Sequence, residues 1–172
     1  MKLETERCLI RPFTERDADD AFYYLSDPET MYFIQDPFTR EDTEGFIRRY
    51  AMERKLVYAL EHKESGRVIG HVIFHPYDDE EIYEVGCIIG KPYRQQGIGY
   101  EALSEVIRYA FAEMKLHKSV AETVEGNDAC IHLMDRLGFV REAVLRKQNR
   151  VHGHWADEYH YGMLREEYRE NC

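Results

Sequence analysis

Two spacings of apolar residues divide the chain. Apolar positions two apart mark strands, and positions three and four apart mark helices. Residues 7–13 read as a first strand. Thr14 then offers an N-cap with Asp17 three residues on, and Ala18, Ala21, Phe22 and Leu25 share one helical face that Ser26-Asp27-Pro28 ends. Residues 29–38 form an aromatic connector holding Met31, Tyr32, Phe33 and Phe38, and Thr39 opens a second helix with Phe46, Ile47 and Tyr50 inward. Strands at 56–61 and 67–75 flank the turn Lys63-Glu64-Ser65-Gly66, and a further strand at 81–89 stops near Lys91-Pro92. Leu103, Val106, Ile107, Ala110, Phe111 and Met114 make the stripe of a third helix. A short strand at 118–124 follows. Asn127-Asp128 caps a fourth helix carrying Cys130, Leu133, Met134 and Leu137, with Gly138 at its C′ position. Residues 139–147 and 155–165 read as a closing hairpin around residues 150–153.

Consecutive strands ahead of a helix argue for an α+β fold: a mixed, mostly antiparallel twisted sheet flanked by about four helices. The strands at 81–89 and 118–124, joined by one helix, should be parallel neighbours. At 172 residues the chain reads as a single domain over 1–172, long enough to need no disulfide or metal staple. Its four cysteines, Cys8, Cys87, Cys130 and Cys172, are far apart and form no C-x-x-C. The net charge of −10 disfavours nucleic acid as a partner. Apolar runs fall short of a membrane span, and acids at Glu4 and Glu6 stand where a signal peptide needs an apolar core, so the reading is cytoplasmic.

The run Arg94-Gln95-Gln96-Gly97-Ile98-Gly99 carries the chemistry. It lies between a strand and an amphipathic helix. Two glycines allow a tight turn and a close ligand, and the helix that opens at Gly99 or Tyr100 presents unpaired N–H groups with partial positive charge. Such a turn is a cradle for phosphate or pyrophosphate, with Arg94 as a cation at its rim. The global acidity is no obstacle, because surface charges more than about 8 Å away are screened at physiological salt. Gly97-Ile98-Gly99-Tyr100-Glu101-Ala102 also fits the G-x-G-x-x-A dinucleotide fingerprint. Against that reading, a seven-residue polar gap at 90–96 separates strand from glycine, and no repeated βαβ pattern precedes it.

In this order of elements, residues 94–99 resemble the Q/R-x-x-G-x-G/A signature of the GNAT superfamily of acetyl-CoA-dependent N-acetyltransferases. Asn127-Asp128-Ala129-Cys130-Ile131, running on to Arg136-Leu137-Gly138-Phe139, resembles that family's Asn-initiated helix. The opening Leu3-Glu4-Thr5-Glu6-Arg7-Cys8-Leu9-Ile10-Arg11-Pro12 is similar to the start of the branch named for RimJ and RimL, which acetylate N-termini of ribosomal proteins. The resemblance implies a V-shaped splay between the strands at 81–89 and 118–124, with the pantetheine arm of acetyl-CoA on backbone groups of Cys87, Ile88 and Ile89. It implies pyrophosphate held by Gln95, Gln96, Gly97, Ile98, Gly99 and Tyr100 beside Arg94, and Asn127 on the cofactor or a bound water.

The implied reaction is direct attack of a neutral amine on the thioester in a ternary complex. It needs positioning, a base, oxyanion donors and an acid for the leaving thiolate. Glu84 is the candidate base, the other reading being a half-exposed strand residue or a holder of substrate cations. The backbone N–H groups of Ile88 and Ile89 are the candidate oxyanion donors. Where many relatives carry a tyrosine, seven residues after the asparagine, this chain has Met134; where the branch often has serine it has Cys130. Cys130 is therefore either the acid or helix core. Tyr24, Met31, Tyr32 and Phe33 are candidates for an acceptor pocket, or for core. His152, His154 and His160 with Asp157 and Glu158 read more simply as a polar hairpin than as a metal site, so no metal is expected. The acceptor is an amine-bearing partner, a peptide N-terminus or a small molecule, and the protein a monomer or homodimer. The rival readings are a non-catalytic acyl-CoA sensor and a dinucleotide-binding protein.

Overall fold

The computed structural model describes residues 1–169; Cys172 lies outside them. One eight-stranded sheet organises the chain: β1 (Leu3–Glu4), β2 (Cys8–Arg11), β3 (Val57–His62), β4 (Arg67–Pro76), β5 (Ile82–Ile89), β6 (Lys118–Val124), β7 (Val140–Val151) and β8 (His154–Leu164). Its spatial order is β1-β2-β3-β4-β5-β6-β8-β7. β5 and β6 are the one parallel pair among the described strands; every other pair is antiparallel. A doubly wound dinucleotide-binding sheet is therefore not the architecture.

Among the described residues five α-helices flank the sheet: α1 (Ala18–Leu25), α2 (Pro28–Met31), α3 (Arg40–Phe46), α4 (Ile98–Arg108) and α5 (Asp128–Leu137). The sequence pattern gives four. The added one is α2, a single turn inside the aromatic connector. It forms because Asp27 accepts from the N–H of Thr30 and Pro28 stands in its first turn, where a missing N–H costs nothing. β1 is the added strand, two residues long and paired with β2. Both additions are too short to carry a period. α3 and α4 each continue as a wider π-helical segment, at Ile47–Glu53 and Tyr109–Glu113, and the turns beyond hold Lys55 and Lys115 at positive φ.

Each face of the sheet has its own core. α4 and α5 cover one, where Val72, Phe74, Val85, Leu103, Val106, Ile107 and Ala121 pack. α1 and α3 cover the other, where Phe13, Ala21, Tyr24, Leu25, Met31 and Ile47 pack. Successive residues of β5 divide between them. Val85, Cys87 and Ile89 join the α4 side, and Ile88 joins the α1 side.

Gly70 lets β4 and β5 lie together. It sits beside the irregularity at Leu60/Glu61 in the β3–β4 ladder, and a Cβ there would collide with the Ile88 carbonyl oxygen. Backbone cannot swing aside as a side chain can. Gly70→Ala is expected to lower unfolding free energy by about 1–3 kcal/mol, read from urea titration of both proteins.

Candidate active site

The site begins where one ladder stops. β5 and β6 pair at Ile82/Lys118, Tyr83/Ser119 and Glu84/Val120, below which the Glu81 carbonyl accepts from the N–H groups of His117 and Lys118. Beyond Glu84 the two strands run on to Ile89 and Val124 without pairing each other. This is the V-shaped splay expected from the sequence, and Glu84 stands at its apex. β5 stays paired to β4 along its whole length, and β6 to β8. Each arm of the V is thus held from its outer side.

The β4–β5 ladder tells which backbone groups face the opening. It is bracketed by bonds from the Gly90 N–H to the Ile69 carbonyl and from the Tyr77 N–H to the Ile82 carbonyl, both 2.8 Å. Antiparallel alternation between these ends turns the backbone of Gly86 and Ile88 toward β4 and that of Val85, Cys87 and Ile89 toward the gap. The sequence expectation is corrected at Ile88. Its amide belongs to the β4 ladder, so it does not serve as an oxyanion donor at the gap, and its side chain lies in the α1-side core. Cys87 keeps its place on the open edge. The Ile89 carbonyl, also on that edge, accepts from Arg94 Nε at 2.8 Å.

That bond defines what Arg94 does. Its Nη1 also reaches the Glu29 carbonyl at 3.3 Å, so the guanidinium ties the end of β5 to α2. Gln96 likewise turns back, donating from Nε2 to the Pro92 carbonyl at 2.9 Å. With these side chains folded outward, backbone lines the turn. Gln95 (φ 59°) and Gly97 (φ 79°) are left-handed, and Gly97 is the N-cap of α4 with no side-chain cap bond. The first amides of α4, from Ile98 onward, point back into that bend. Gly99 serves close approach rather than unusual dihedrals: a Cβ there would lie 3.4 Å from Cys87 Sγ and 3.6 Å from Leu133. Across the opening, α5 starts at Asn127, whose Oδ1 accepts from the Cys130 N–H at 3.4 Å.

Arg7 and Glu101 brace the turn, and neither was expected from the sequence. Arg7 Nη1 donates to the Gln96 carbonyl at 2.7 Å, and its Nε and backbone N–H donate to the Glu101 carboxylate at 2.6 and 2.8 Å. They join β2's approach to the first turn of α4, a partnership across 94 positions that no local pattern encodes. Burial would raise the Glu101 carboxyl, but hydrogen bonds from Thr5 and Arg7 outweigh it and hold it below the ordinary range.

On the face toward α1 and α3, Glu84 pairs with His75 of β4; Nε2 and Oε2 are 3.3 Å apart. Further along, Tyr77 donates to Glu122 at 2.6 Å, and His160 bonds Glu158 at 2.6 Å. Glu122, Glu158 and His160 offer donor atoms within 4.8 Å of one another, while His152 points elsewhere. Its ring stacks on Tyr32 at 4.1 Å, and its Nε2 lies 3.0 Å from the Tyr32 carbonyl. Phe33 packs against Gly126, next to Asn127. Tyr32 and Phe33 thus bridge the β7–β8 tip to the β6–α5 turn. The other two pocket candidates are core residues. Tyr24 and Met31 are each 1% exposed in the core, where Tyr24 hydrogen-bonds the buried His71 at 3.0 Å. Burial drives Cys130 to hold its proton, only partly offset by Thr123, and pushes the Cys87 thiol up to about 12, with neighbouring Cys130 adding to it. Met134 is core, 1% exposed.

A family model for the acetyltransferase (GNAT) domain matches residues 7–140. The chain belongs to the GNAT acetyltransferase family. It is 31% identical over 169 residues to an uncharacterised N-acetyltransferase of Bacillus subtilis (strain 168), covering 98% of this chain and 99% of that one. A crystal structure of a GNAT-family acetyltransferase from Bacillus anthracis superposes with a TM-score of 0.90 at 32% identity, covering 96% and 99% of the two chains. The [ribosomal protein uS5]-alanine N-acetyltransferase of Escherichia coli (strain K12) is 25% identical over 173 residues, covering 91% of this chain and 87% of that enzyme. The protein is therefore an acyltransferase of the N-acetyltransferase type, a family that uses acetyl-CoA. No helix among the described residues is long and apolar enough to cross a membrane.

The Arg7–Glu101 brace makes a pH prediction. A carboxyl lowered on folding adds stability above its unfolded value, here 4.5, and loses it as pH falls through the folded value. The stability gap between wild type and Glu101→Gln should be widest near neutrality and close as pH falls below 4.5, followed by urea titration across pH.

Proposed function

We propose that this protein moves the acetyl group of acetyl-CoA to a primary amine by direct attack within a ternary complex. One observation carries the reading: the β5–β6 ladder ends at Glu84/Val120, and the side-chain-free amides of the α4 turn stand at the far end of the arm so exposed. The pantetheine arm has amide groups of its own and would lie along the Val85, Cys87 and Ile89 edge in place of a strand. The diphosphate would take the amides at Gly97, Ile98 and Gly99 with Tyr100 beside them, and Gln95 and Gln96 would shape the bend. Arg94 holds the turn to β5 and adds positive charge rather than gripping phosphate with all its donors. Asn127, as cap of α5, would keep that helix start aimed at the cofactor.

Glu84, at the apex and half-buried, is the group assigned to the amine. Cys130 keeps its proton under burial, so it fits a proton donor to the departing sulfur and not a nucleophile. Tyr32 and Phe33 are assigned to the acceptor mouth, with no metal taking part. Acceptors to be weighed are a peptide N-terminus, polyamines and other small amines; the E. coli relative is named for an alanine of ribosomal protein uS5.

Binding and turnover both test the reading. A hundredfold excess of acetyl-CoA over its Kd should add about 2.7 kcal/mol of stability, roughly a 5–10 °C rise in Tm. Gly97→Val, which cannot adopt the left-handed turn without about 1–3 kcal/mol of strain, should stay folded and lose that rise. An unchanged rise would move the phosphate site elsewhere. CoA release over alanine-initiated peptides, spermidine and alkylamines should find an acceptor, and Glu84→Gln should lower kcat far more than acetyl-CoA affinity. Equal loss in both would leave Glu84 a structural residue.

A further inference from the structure

His75 entered no expectation drawn from the sequence, yet the sheet sets it directly beside Glu84. In the β4–β5 ladder the two are opposite residues, so their side chains share the face toward α1 and α3. Nε2 lies 3.3 Å from Glu84 Oε2, with the side chains 19% and 24% exposed. Nδ1 lies 2.8 Å from the Pro76 carbonyl oxygen. A carbonyl has no proton to give, so Nδ1 carries the hydrogen of that bond and Nε2 is left to the carboxylate. An imidazole lone pair and a carboxylate oxygen face each other favourably only with a proton between them. Two charged groups face the ring. Glu84, from β5, favours the imidazolium; Arg54, from the turn ahead of β3, opposes it. The hydrogen bond to Glu84 is the largest influence, burial works against it, and the outcome is a histidine raised above its ordinary value.

We propose that His75 is the proton store of the acceptor site, with Glu84 the conduit from the amine. The inference rests on the assignment of Glu84 to the amine made above. An arriving ammonium gives one N–H proton to the Glu84 carboxylate, and the carboxyl passes a proton from Oε2 to His75 Nε2. The result is a neutral amine, a Glu84 carboxylate and a His75 imidazolium. The amine lone pair then forms the C–N bond to the acetyl carbon. The C–S bond breaks with its electron pair going to sulfur, sulfur takes its proton from Cys130, and the proton that nitrogen gives away restores the Cys130 thiol. His75 returns its own proton to water before the next turnover. This division suits the chemistry. A carboxylate in general is too weak a base to strip an ammonium near neutrality, whereas an imidazole, here raised above its ordinary value by Glu84, is a stronger one.

The sign of the pH dependence follows. The pair accepts a proton only when His75 starts neutral, so kcat/KM rises as pH passes upward through the raised value. His75→Gln keeps a polar side chain beside Glu84 but stores no proton. With spermidine and an alanine-initiated peptide as probes, it should lower kcat/KM by about a hundredfold. The midpoint of the acidic limb should move up to that of the free amine, while acetyl-CoA still raises Tm as in wild type. NMR titration of the histidine ring protons should find His75 high in wild type and lower in Glu84→Gln. A His75→Gln enzyme that keeps the wild-type midpoint overturns the proposal. So does a His75 resonance that titrates alike in wild type and Glu84→Gln. Full activity in His75→Gln with loss in Glu84→Gln removes His75 and leaves Glu84 as the base. Wild type that releases no CoA with any acceptor overturns the underlying transferase reading as well.

Discussion

The parting of β5 from β6 is the constraint on which the rest depends. Backbone amides and carbonyls inside a protein must find partners, and an unsatisfied buried group costs about 1–3 kcal/mol. A sheet that stops pairing in its middle would ordinarily close up. Here it is kept open from outside. β4 holds β5 to Ile89, and β8 holds β6 to Val124, so neither strand can shift without breaking a longer ladder. The start of α4 packs on the Cys87 side of β5 through Gly99, near enough that a methyl group there would touch Cys87 and Leu133. The unmet edge is therefore built in, and a ligand with amide groups can satisfy it as a strand would.

The same constraint ranks the charged residues. On the proposed reading a basic surface is not needed, because backbone amides at a helix start would take the anion. Arginines nearby are used to hold backbone instead. Arg94 reaches the Ile89 and Glu29 carbonyls, and Arg7 reaches Gln96 and Glu101. Both anchor the bend from behind and leave its inner side to N–H groups. A net charge of −10 is then compatible with an anionic cofactor. At the turn Glu101 is paired with Arg7, and Glu84 lies on the face toward α1 and α3.

What the sequence made legible follows its local patterns. The glycine turn, the Asn127 cap and the apolar stripe of α4 are contiguous or helical in period, and they stand where the pattern put them. The splay was legible through resemblance alone, since nothing in residues 81–89 or 118–124 says that pairing stops after Glu84. Contacts set by register were out of reach. His75 meets Glu84 only because the β4–β5 turn folds at 77–82, and Arg7 meets Glu101 only because α4 packs over β1 and β2. Aromatic residues in the connector misled for a different reason. Tyr24, Met31, Tyr32 and Phe33 look alike in a polarity pattern. Helix phase buries the first two beneath α1 and α2 and leaves Tyr32 outward and Phe33 half-buried.

The leaving group poses the remaining chemical question, and burial answers part of it. A departing thiolate needs a proton from a group that still has one at working pH. Met134 has none and lies in the core. The two thiols near the gap differ. Cys87 lies on β5 against the α4 turn, and burial together with Cys130 holds its proton at about 12, too firmly to be given up readily. Cys130 stands in the first turn of α5, within the cap formed by Asn127, and its burial is relieved in part by Thr123. Of the two it is the better candidate donor, because Thr123 offsets part of its burial and its helix start favours the thiolate that donation would leave behind. A serine at this place would donate a stronger hydrogen bond but would form an alkoxide far less readily. Cysteine exchanges bond strength for acidity, and the thiolate it would leave is of the same chemical kind as the one it would protonate.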